Sequence, residues 1–194
     1  MERKEVDVKK VGSLLETLVS REIFNKVDIM LGLKDTLEFA EDMSIDIPEL
    51  YKFLGIILGT LVLGDILTIR DVYDVTEALR SSTATRPPAL VVLSQMLKFI
   101  KTEESESTAA EIYQTDATNV EDFFPENKRS KEVVEEWIER NGLGFLNPMK
   151  AIASGLKERL DKLDLSGGKD QVDQIVAWLM VHFNLTLIFN QALN

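Results

Sequence analysis

The side chains that most often carry enzyme chemistry are scarce in this sequence of 194 residues. It contains no cysteine, which excludes disulfides, thiolate metal sites and cysteine nucleophiles. The single histidine, His182, lies in the apolar run of residues 181–185, so two-histidine metal sites are excluded as well. A buried or interfacial imidazole explains His182 better than a catalytic base does. We therefore predict no metal site and no cofactor.

A glycine-rich segment at residues 167–170 (Gly-Gly-Lys-Asp) is the nearest approach to a phosphate-binding loop. Such a loop needs an earlier glycine, where this sequence has Leu163, and a Ser or Thr after the lysine, where it has Asp170. The many carboxylates have no recognisable partner acid and are typical of solvated helix faces. The sequence therefore predicts that the protein is not an enzyme.

The acidic net charge limits which kinds of partner the protein can bind. Lys plus Arg is 22 and Asp plus Glu is 33, which gives a net charge of −11, and 45% of the residues are hydrophobic. This composition indicates a folded acidic protein and argues against direct nucleic-acid binding, which needs a basic stripe. The charged N-terminus predicts no signal peptide, and the apolar run of residues 53–64 is shorter than the roughly 20 residues that span a bilayer. We expect a soluble cytoplasmic protein that does not contact membranes.

The elements that must position any site are helices, because the apolar periodicity is helical throughout. A first helix has one apolar face, formed by Val11, Leu14, Leu15 and Leu18. A second is predicted from after Ser20 towards Glu41, with an apolar face of Ile23, Val27 and Leu31. A third opens at residues 46–49, where Asp46 can cap it, Pro48 fits its first turn and Glu49 can close the capping box.

Later start signals are Thr68 to Asp71, Pro87-Pro88 and Ser130, and a break at residues 166–168 precedes a last long helix. The helix after Pro88 has a core face of Leu90, Leu93, Leu97 and Ile100, whereas residues 101–110 are expected to be a loop or a short approach to a helix. About nine helices and no strand predict an all-α fold of antiparallel helix pairs, either a bundle or a solenoid. Pairs of roughly 40 residues favour stacking as a HEAT-like solenoid.

Two acidic segments stand out. Residues 41–48 form a short acidic turn between two helices, and residues 102–107 (Thr-Glu-Glu-Ser-Glu-Ser) form an acidic stretch. The second can be a solubilising loop, or a phosphorylation patch for an acidic-directed kinase at Ser105 or Ser107 that would add negative charge.

Residues 37–48 (Leu-Glu-Phe-Ala-Glu-Asp-Met-Ser-Ile-Asp-Ile-Pro) closely resemble a segment in the C-terminal half of eukaryotic translation initiation factor 4G. In that family the segment lies in the MA-3 domain, an all-helical HEAT-type module. The order downstream agrees, with an apolar helix, then Asp-Phe-Phe-Pro-Glu at residues 122–126, and weaker similarities at 133–138 and 173–178. The resemblance covers most of the chain, and residues 41–48 are its most specific part.

The resemblance implies a translation initiation scaffold that docks the DEAD-box RNA helicase factor 4A. A related tumour-suppressor protein uses the same type of acidic turn against the helicase. The resemblance therefore assigns the contact to Asp42 and Asp46, with Glu41 and Glu49 beside them. A helicase that grips RNA is basic, and a net charge of −11 complements it. Two alternatives stay open: Asp46 is only a helix cap and Asp42 only solvated, or the chain is a HEAT-like module of another adaptor or of a translational repressor.

The chain departs from the family pattern at both ends. No pattern for the helix pair that opens the MA-3 domain precedes Val8, so residues 1–145 are predicted to form an MA-3-like domain without that pair. Residues 146–194 are either closing helices of the same array or the start of a following HEAT domain. The helix at residues 174–194 is apolar on nearly all sides, so its outer face should be covered by a homodimer partner or a neighbouring domain.

Overall fold

A computed structural model describes residues 2–80, 87–116 and 118–147, with isolated positions at 156, 173–174 and 176–178. The described residues up to 147 form nine α-helices and three short 3₁₀-helices, and no described residue lies in a strand, which confirms the all-α class. The chain divides into two compact units, Met1–Leu143 and Gly144–Asn194. The assignment of residues 1–145 and 146–194 to one array or two domains stays a prediction.

All nine α-helices belong to the first unit. Their bounds are α1 Glu2–Ser20, α2 Lys26–Glu38, α3 Ala40–Asp46, α4 Leu50–Leu63, α5 Ile69–Val75, α6 Glu77–Arg80, α7 Pro88–Glu103, α8 Glu106–Thr115 and α9 Lys131–Arg140. Helices α1, α4, α7 and α8 pack side by side in that order, while α2 packs on α5 and α6, and α6 reaches α7. This is the layered stacking of helices that a HEAT-like array requires.

The core lies between α4 and α7. The predicted core face of α7 is confirmed, because Leu90 is 2% exposed and Leu93, Leu97 and Ile100 are fully buried. The facing side of α4 presents Leu54, Leu58 and Leu61, all buried. Two glycines bring the helices close, since a Cβ on Gly55 would lie 2.6 Å from Gln95 Cβ and one on Gly59 would lie 2.5 Å from Phe99 Cδ1.

The single second helix predicted towards Glu41 is instead two helices, α2 and α3, with a break at Phe39. Asn25 begins α2, because its side chain accepts hydrogen bonds from Val27 N and Asp28 N, while the Asp28 carboxylate accepts one from Asn25 N. This capping box makes Asn25 the N-cap residue of α2, five residues after Ser20.

The predicted apolar face of the second helix is wrong as a core face, and that of the first helix is right in part, since Leu15 and Leu18 are half-buried. In α2 the buried residues are Ile29, Leu33 and Leu37, whereas Ile23, Val27 and Leu31 are 59%, 71% and 60% exposed. In α1, Gly12 is buried, while Val11 and Leu14 are 47% and 56% exposed. Both helices carry apolar residues on more than one side, and packing against α4, α5 and α6 selects a side that periodicity alone did not.

The predicted cap of the third helix is also wrong. Asp46 is the last residue of α3, and α4 begins at Leu50 after the N-cap residue Glu49, whose side chain makes no capping bond. The cause is Pro48, which disfavours the helical conformation in the residue before it. Ile47 accordingly adopts φ −123° and ψ 84°, and a turn closed by Leu50 N to Ile47 O at 3.0 Å joins the helices.

Most other start signals are confirmed. Thr68 caps α5 through a box with Asp71, Pro88 is the first residue of α7, and Ser130 caps α9 by accepting a hydrogen bond from Val133 N. Residues 101–110, expected to be a loop or a short approach to a helix, are mostly helix: α7 runs to Glu103, and Ser105 is the N-cap of α8.

Several predictions fall outside the described residues. They concern His182, residues 163–170, and most of the helix at 174–194 with its proposed homodimer or neighbouring-domain contact. Across the residues that are described, none of the helices is both long and apolar enough to cross a membrane. No group of three or more potential ligands that could hold a metal ion occurs among the same residues.

Candidate functional site

The acidic segment singled out in the sequence forms an exposed helix face. Helix α3 turns Ala40 fully into the core, and Met43 and Ser44 are half-buried. On its other side Glu41, Asp42, Ile45 and Asp46 are all exposed. Because residues three and four apart lie on the same side of a helix, these four side chains share one outward face.

The carboxylates of this face are available to a partner. Glu41, Asp42 and Asp46 form no ion pair with any residue that the structure describes, and neither does the half-buried Glu49 in the turn that follows. Glu49 does lie close enough to Lys52 to help raise the pKa of that ammonium group, although the main cause is the hydrogen bond from Lys52 to Glu5. The structure thus brings the four predicted residues together around one turn.

The acidic surface also carries exposed apolar side chains, which the sequence pattern did not predict. Ile45 is 80% exposed, Phe39 is 62% exposed and Ile47 is 40% exposed. The available signal was the spacing of Glu41, Asp42 and Ile45, which places them on one helix side. It could not be used while the second helix was expected to end at Glu41.

Buried residues on either side of the helix break support the acidic face. Leu37 and Ala40 are 1% and 0% exposed on either side of the break at Phe39, so the end of α2 and the start of α3 are both anchored in the core. Within α3, the half-buried Ser44 donates a hydrogen bond from Oγ to Glu41 O at 2.7 Å and helps to hold the short helix.

An ion pair fixes α2 against α5. Lys26 Nζ lies 2.6 Å from Asp71 Oδ2, and the Asp71 side chain is 12% exposed. The same carboxylate oxygen accepts hydrogen bonds from Thr68 N at 2.7 Å and Thr68 Oγ1 at 2.8 Å. Burial alone would raise the pKa of Asp71, but the hydrogen bonds from Lys26 and Thr68 outweigh it and lower the pKa below its usual value.

The second acidic segment, residues 102–107, has a structural role at the start of α8. Ser105 is the N-cap of α8, and its Oγ accepts a hydrogen bond from Thr108 N at 3.0 Å. Ser107 lies in the first turn of α8, and both serines are half-buried. Lys101 and Glu106 form an ion pair of 2.5 Å across the junction of α7 and α8. Phosphorylation at Ser105 or Ser107 stays a prediction.

The Asp-Phe-Phe-Pro-Glu element at residues 122–126 is structural. Phe123 is fully buried, and its ring meets Tyr73 edge-on with centroids 5.4 Å apart. Arg129 holds the loop by donating from Nε to Phe124 O at 2.9 Å. Tyr113 OH accepts a hydrogen bond from Val120 N at 2.7 Å, and burial raises the pKa of Tyr113 to about 12. The buried rings of this element serve the core, whereas Glu126 is exposed and Phe124 also borders a surface cleft.

A surface cleft of about 420 Å³ between α7 and α9 is a rival candidate site. Its lining includes Leu90, Val91, Phe124, Val133 and Trp137. Its charged side chains are Lys128 and the paired Glu136 and Arg140. Because Arg140 pairs with Glu136, two of these three charges are neutralised within the cleft, unlike the carboxylates on α3. The acidic face therefore remains the stronger candidate.

Comparison with known proteins places the acidic face in a recognised module. Residues 1–68 match the MA3 domain family. The chain is 27% identical to human eukaryotic translation initiation factor 4 gamma 3, in an alignment that covers 92% of this chain. It is 25% identical over 166 residues, 86% of its length, to mouse eukaryotic translation initiation factor 4 gamma 2. It is 29% identical to wheat eukaryotic translation initiation factor 4G, in an alignment that covers 67% of this chain.

The aligned parts are small fractions of these relatives. The chain spans 12% of the human protein, 17% of the mouse protein and 9% of the wheat protein. The MA3 match contains all of α1, α2, α3 and α4, and so includes the complete acidic face.

Proposed function

Because this chain is an MA3 region of the translation initiation factor 4G family, we propose that it is a scaffold module of translation initiation that docks the DEAD-box RNA helicase factor 4A. The contact is the acidic surface of Glu41, Asp42, Asp46 and Glu49. The role is one of binding and not of catalysis, and its place is the cytoplasm.

One observation carries this proposal. The four predicted carboxylates, of which the resemblance assigns Asp42 and Asp46, lie between residues 41 and 49 inside the MA3 match, and no described residue forms an ion pair with them. An exposed carboxylate that forms no ion pair with the described residues can attract a partner of opposite sign. The net charge of −11 adds a long-range attraction to any basic surface.

The proposal is tested by titrating the helicase into the purified chain in a calorimeter and by co-elution in size exclusion. The wild-type chain should form a complex, and Asp42→Lys should weaken it by at least about tenfold because attraction becomes repulsion. The matched control is Glu135→Lys, which makes the same charge change at an exposed position of α9.

Circular dichroism establishes that both variants are folded. An Asp42→Lys protein that is folded and binds like the wild type would refute the assignment of the contact to this surface. A wild-type chain that does not bind the helicase at all would favour the alternative, a HEAT-like interaction module of another adaptor or of a repressor.

We also propose that Ser105 and Ser107 accept phosphate from an acidic-directed kinase, since both lie among Glu103, Glu104 and Glu106. A phosphate on Ser105 would lie at the N-terminus of α8, where negative charge is favoured. Intact mass after kinase treatment should show phosphate on the wild type and none on a Ser105→Ala, Ser107→Ala protein. No mass increase on the wild type would exclude the patch as a substrate.

A further inference from the structure

Beyond the charge contact, we propose that the exposed apolar residue Ile45 is the central anchor of the docking surface, and that its partner presents an apolar socket rimmed by Lys or Arg. The inference rests on the proposed function and specifies the chemistry of the same contact. In this arrangement the carboxylates attract and orient the partner, and the apolar contact of Ile45 keeps it bound.

The position of Ile45 within α3 supports this role. Glu41 and Asp42 lie four and three residues before it, on the same helix side, and Asp46 follows it directly. Ile45 is 80% exposed, the highest value of the large hydrophobic side chains that the structure describes, and Phe39 at 62% lies at the start of the same helix. An aliphatic side chain is therefore held out in water and surrounded by carboxylates.

This arrangement has the layout of a protein interface. Interfaces have an apolar centre that is desolvated on binding and a polar rim that stays in contact with water. A few central residues carry most of the binding energy, and the surrounding groups mainly exclude water and set orientation. Ile45 has the central position on α3, and Glu41, Asp42 and Asp46 form the rim.

The carboxylates around Ile45 determine which kind of partner can bind this surface. A purely apolar partner would leave the carboxylates beside an uncharged surface, and an acidic partner would be repelled by them. A second copy of this chain would bring a rim of like charge against this one. A basic protein surface with an apolar socket can pair with the carboxylates and bury the Ile45 side chain at the same time.

Kinetics of helicase binding separate the two roles. Rim charges act mainly on the association rate and on its salt dependence, whereas a buried contact acts mainly on the dissociation rate. We expect Ile45→Ser to raise the dissociation rate of the helicase complex by about tenfold while leaving the salt dependence of association unchanged. Asp42→Asn should do the reverse, with slower association and a weaker dependence on salt.

Leu31→Ser is the matched control, because Leu31 is a 60% exposed aliphatic residue on the outer side of α2. It should leave both rates at the wild-type values. Ile45→Leu, which keeps an aliphatic side chain of the same size, should retain most of the affinity.

Surface plasmon resonance with immobilised helicase gives these rates directly. Unchanged dissociation in Ile45→Ser, with wild-type binding intact, would overturn the anchor and leave the proposed function standing. Equal loss in Leu31→Ser would also overturn it, because the effect would then belong to exposed aliphatic residues in general. No binding of the wild-type chain would overturn both proposals.

Discussion

At the scale of single residues, the position of Asp46 decides how its substitution can be interpreted. As a cap of α4 it would carry a structural role that any substitution would disturb. As the last residue of α3 it makes no capping bond, and its negative charge lies at the end of a helix that favours positive charge. Its exposed carboxylate is therefore explained better by an external partner than by the stability of the fold.

We predict that Asp46→Lys separates binding from stability. The free energy of unfolding should stay the same or rise by up to about 1 kcal/mol, because a cation is favoured at a helix C-terminus. Affinity for the helicase should fall by at least about tenfold. Urea denaturation and calorimetric titration of the same preparation measure both. A loss of about 1 kcal/mol in stability, the typical result of removing a cap, would contradict the assigned position.

Two carboxylates inside the first unit should make its stability depend on pH. The pKa values of Asp71 and Asp116 are both lowered from 3.8, since hydrogen bonds outweigh the effect of burial in each case. For Asp116 the donors include Thr118 and the backbone N–H of Arg70. The unfolded chain therefore binds more protons than the folded one in the acidic range.

The free energy of unfolding should accordingly fall as the pH drops from about 5 through the lowered pKa values of these groups. Asp71→Asn should give a less stable protein, by about 1–3 kcal/mol at pH 7, and a flatter dependence on pH below 5. Urea denaturation at a series of pH values measures this slope. Glu135→Gln, at an exposed position of α9, is the control and should keep the wild-type slope. A slope that is identical in Asp71→Asn and the wild type would rule out this contribution.

At the scale of helices, local signals were predictable and packing choices were not. The starts of α5, α7 and α9 follow from Thr68 with Asp71, Pro88 and Ser130, because capping needs only neighbours in the chain. The core face of α7 was predictable because its opposite side is more polar.

The orientation of α2 was not predictable in the same way. Ile23, Val27 and Leu31 make one helical stripe, and Ile29, Leu33 and Leu37 make another. The choice between them depends on contacts with α5 and α6, which are distant in sequence. For the acidic site, the residues were predictable from the resemblance, whereas the apolar centre at Ile45 required knowledge of where α3 ends.

Two glycines in different helices should respond in opposite ways to substitution by alanine. Gly55→Ala should destabilise the fold by about 1–3 kcal/mol, because the added methyl meets Gln95 Cβ at 2.6 Å and the backbone N of Met96 at 2.9 Å. Gly32→Ala should stabilise it by about 0.5–1 kcal/mol, since Gly32 lies within α2 with nothing within 4 Å of the added methyl. Thermal denaturation of both variants checks the pair. A stabilising Gly55→Ala would show that α4 and α7 are farther apart than described.

At the scale of the whole molecule, the net charge and the acidic face act together. A charge of −11 attracts a basic partner from a distance, but exposed charges are screened beyond a Debye length of about 8 Å at physiological ionic strength. The overall charge therefore raises the encounter rate with any basic protein and cannot by itself select one. Selection has to come from the local arrangement on α3, where carboxylates surround an exposed aliphatic residue.

The central claim is that the helicase binds at residues 39–49, and NMR mapping tests it most directly. Amide spectra of the ¹⁵N-labelled chain are recorded during titration with unlabelled helicase. Changes in shift and intensity should concentrate in α3 and in the turn that leads to α4, and be weakest in α9. Changes concentrated instead at the cleft between α7 and α9, around Trp137, with residues 39–49 unaffected, would contradict the account.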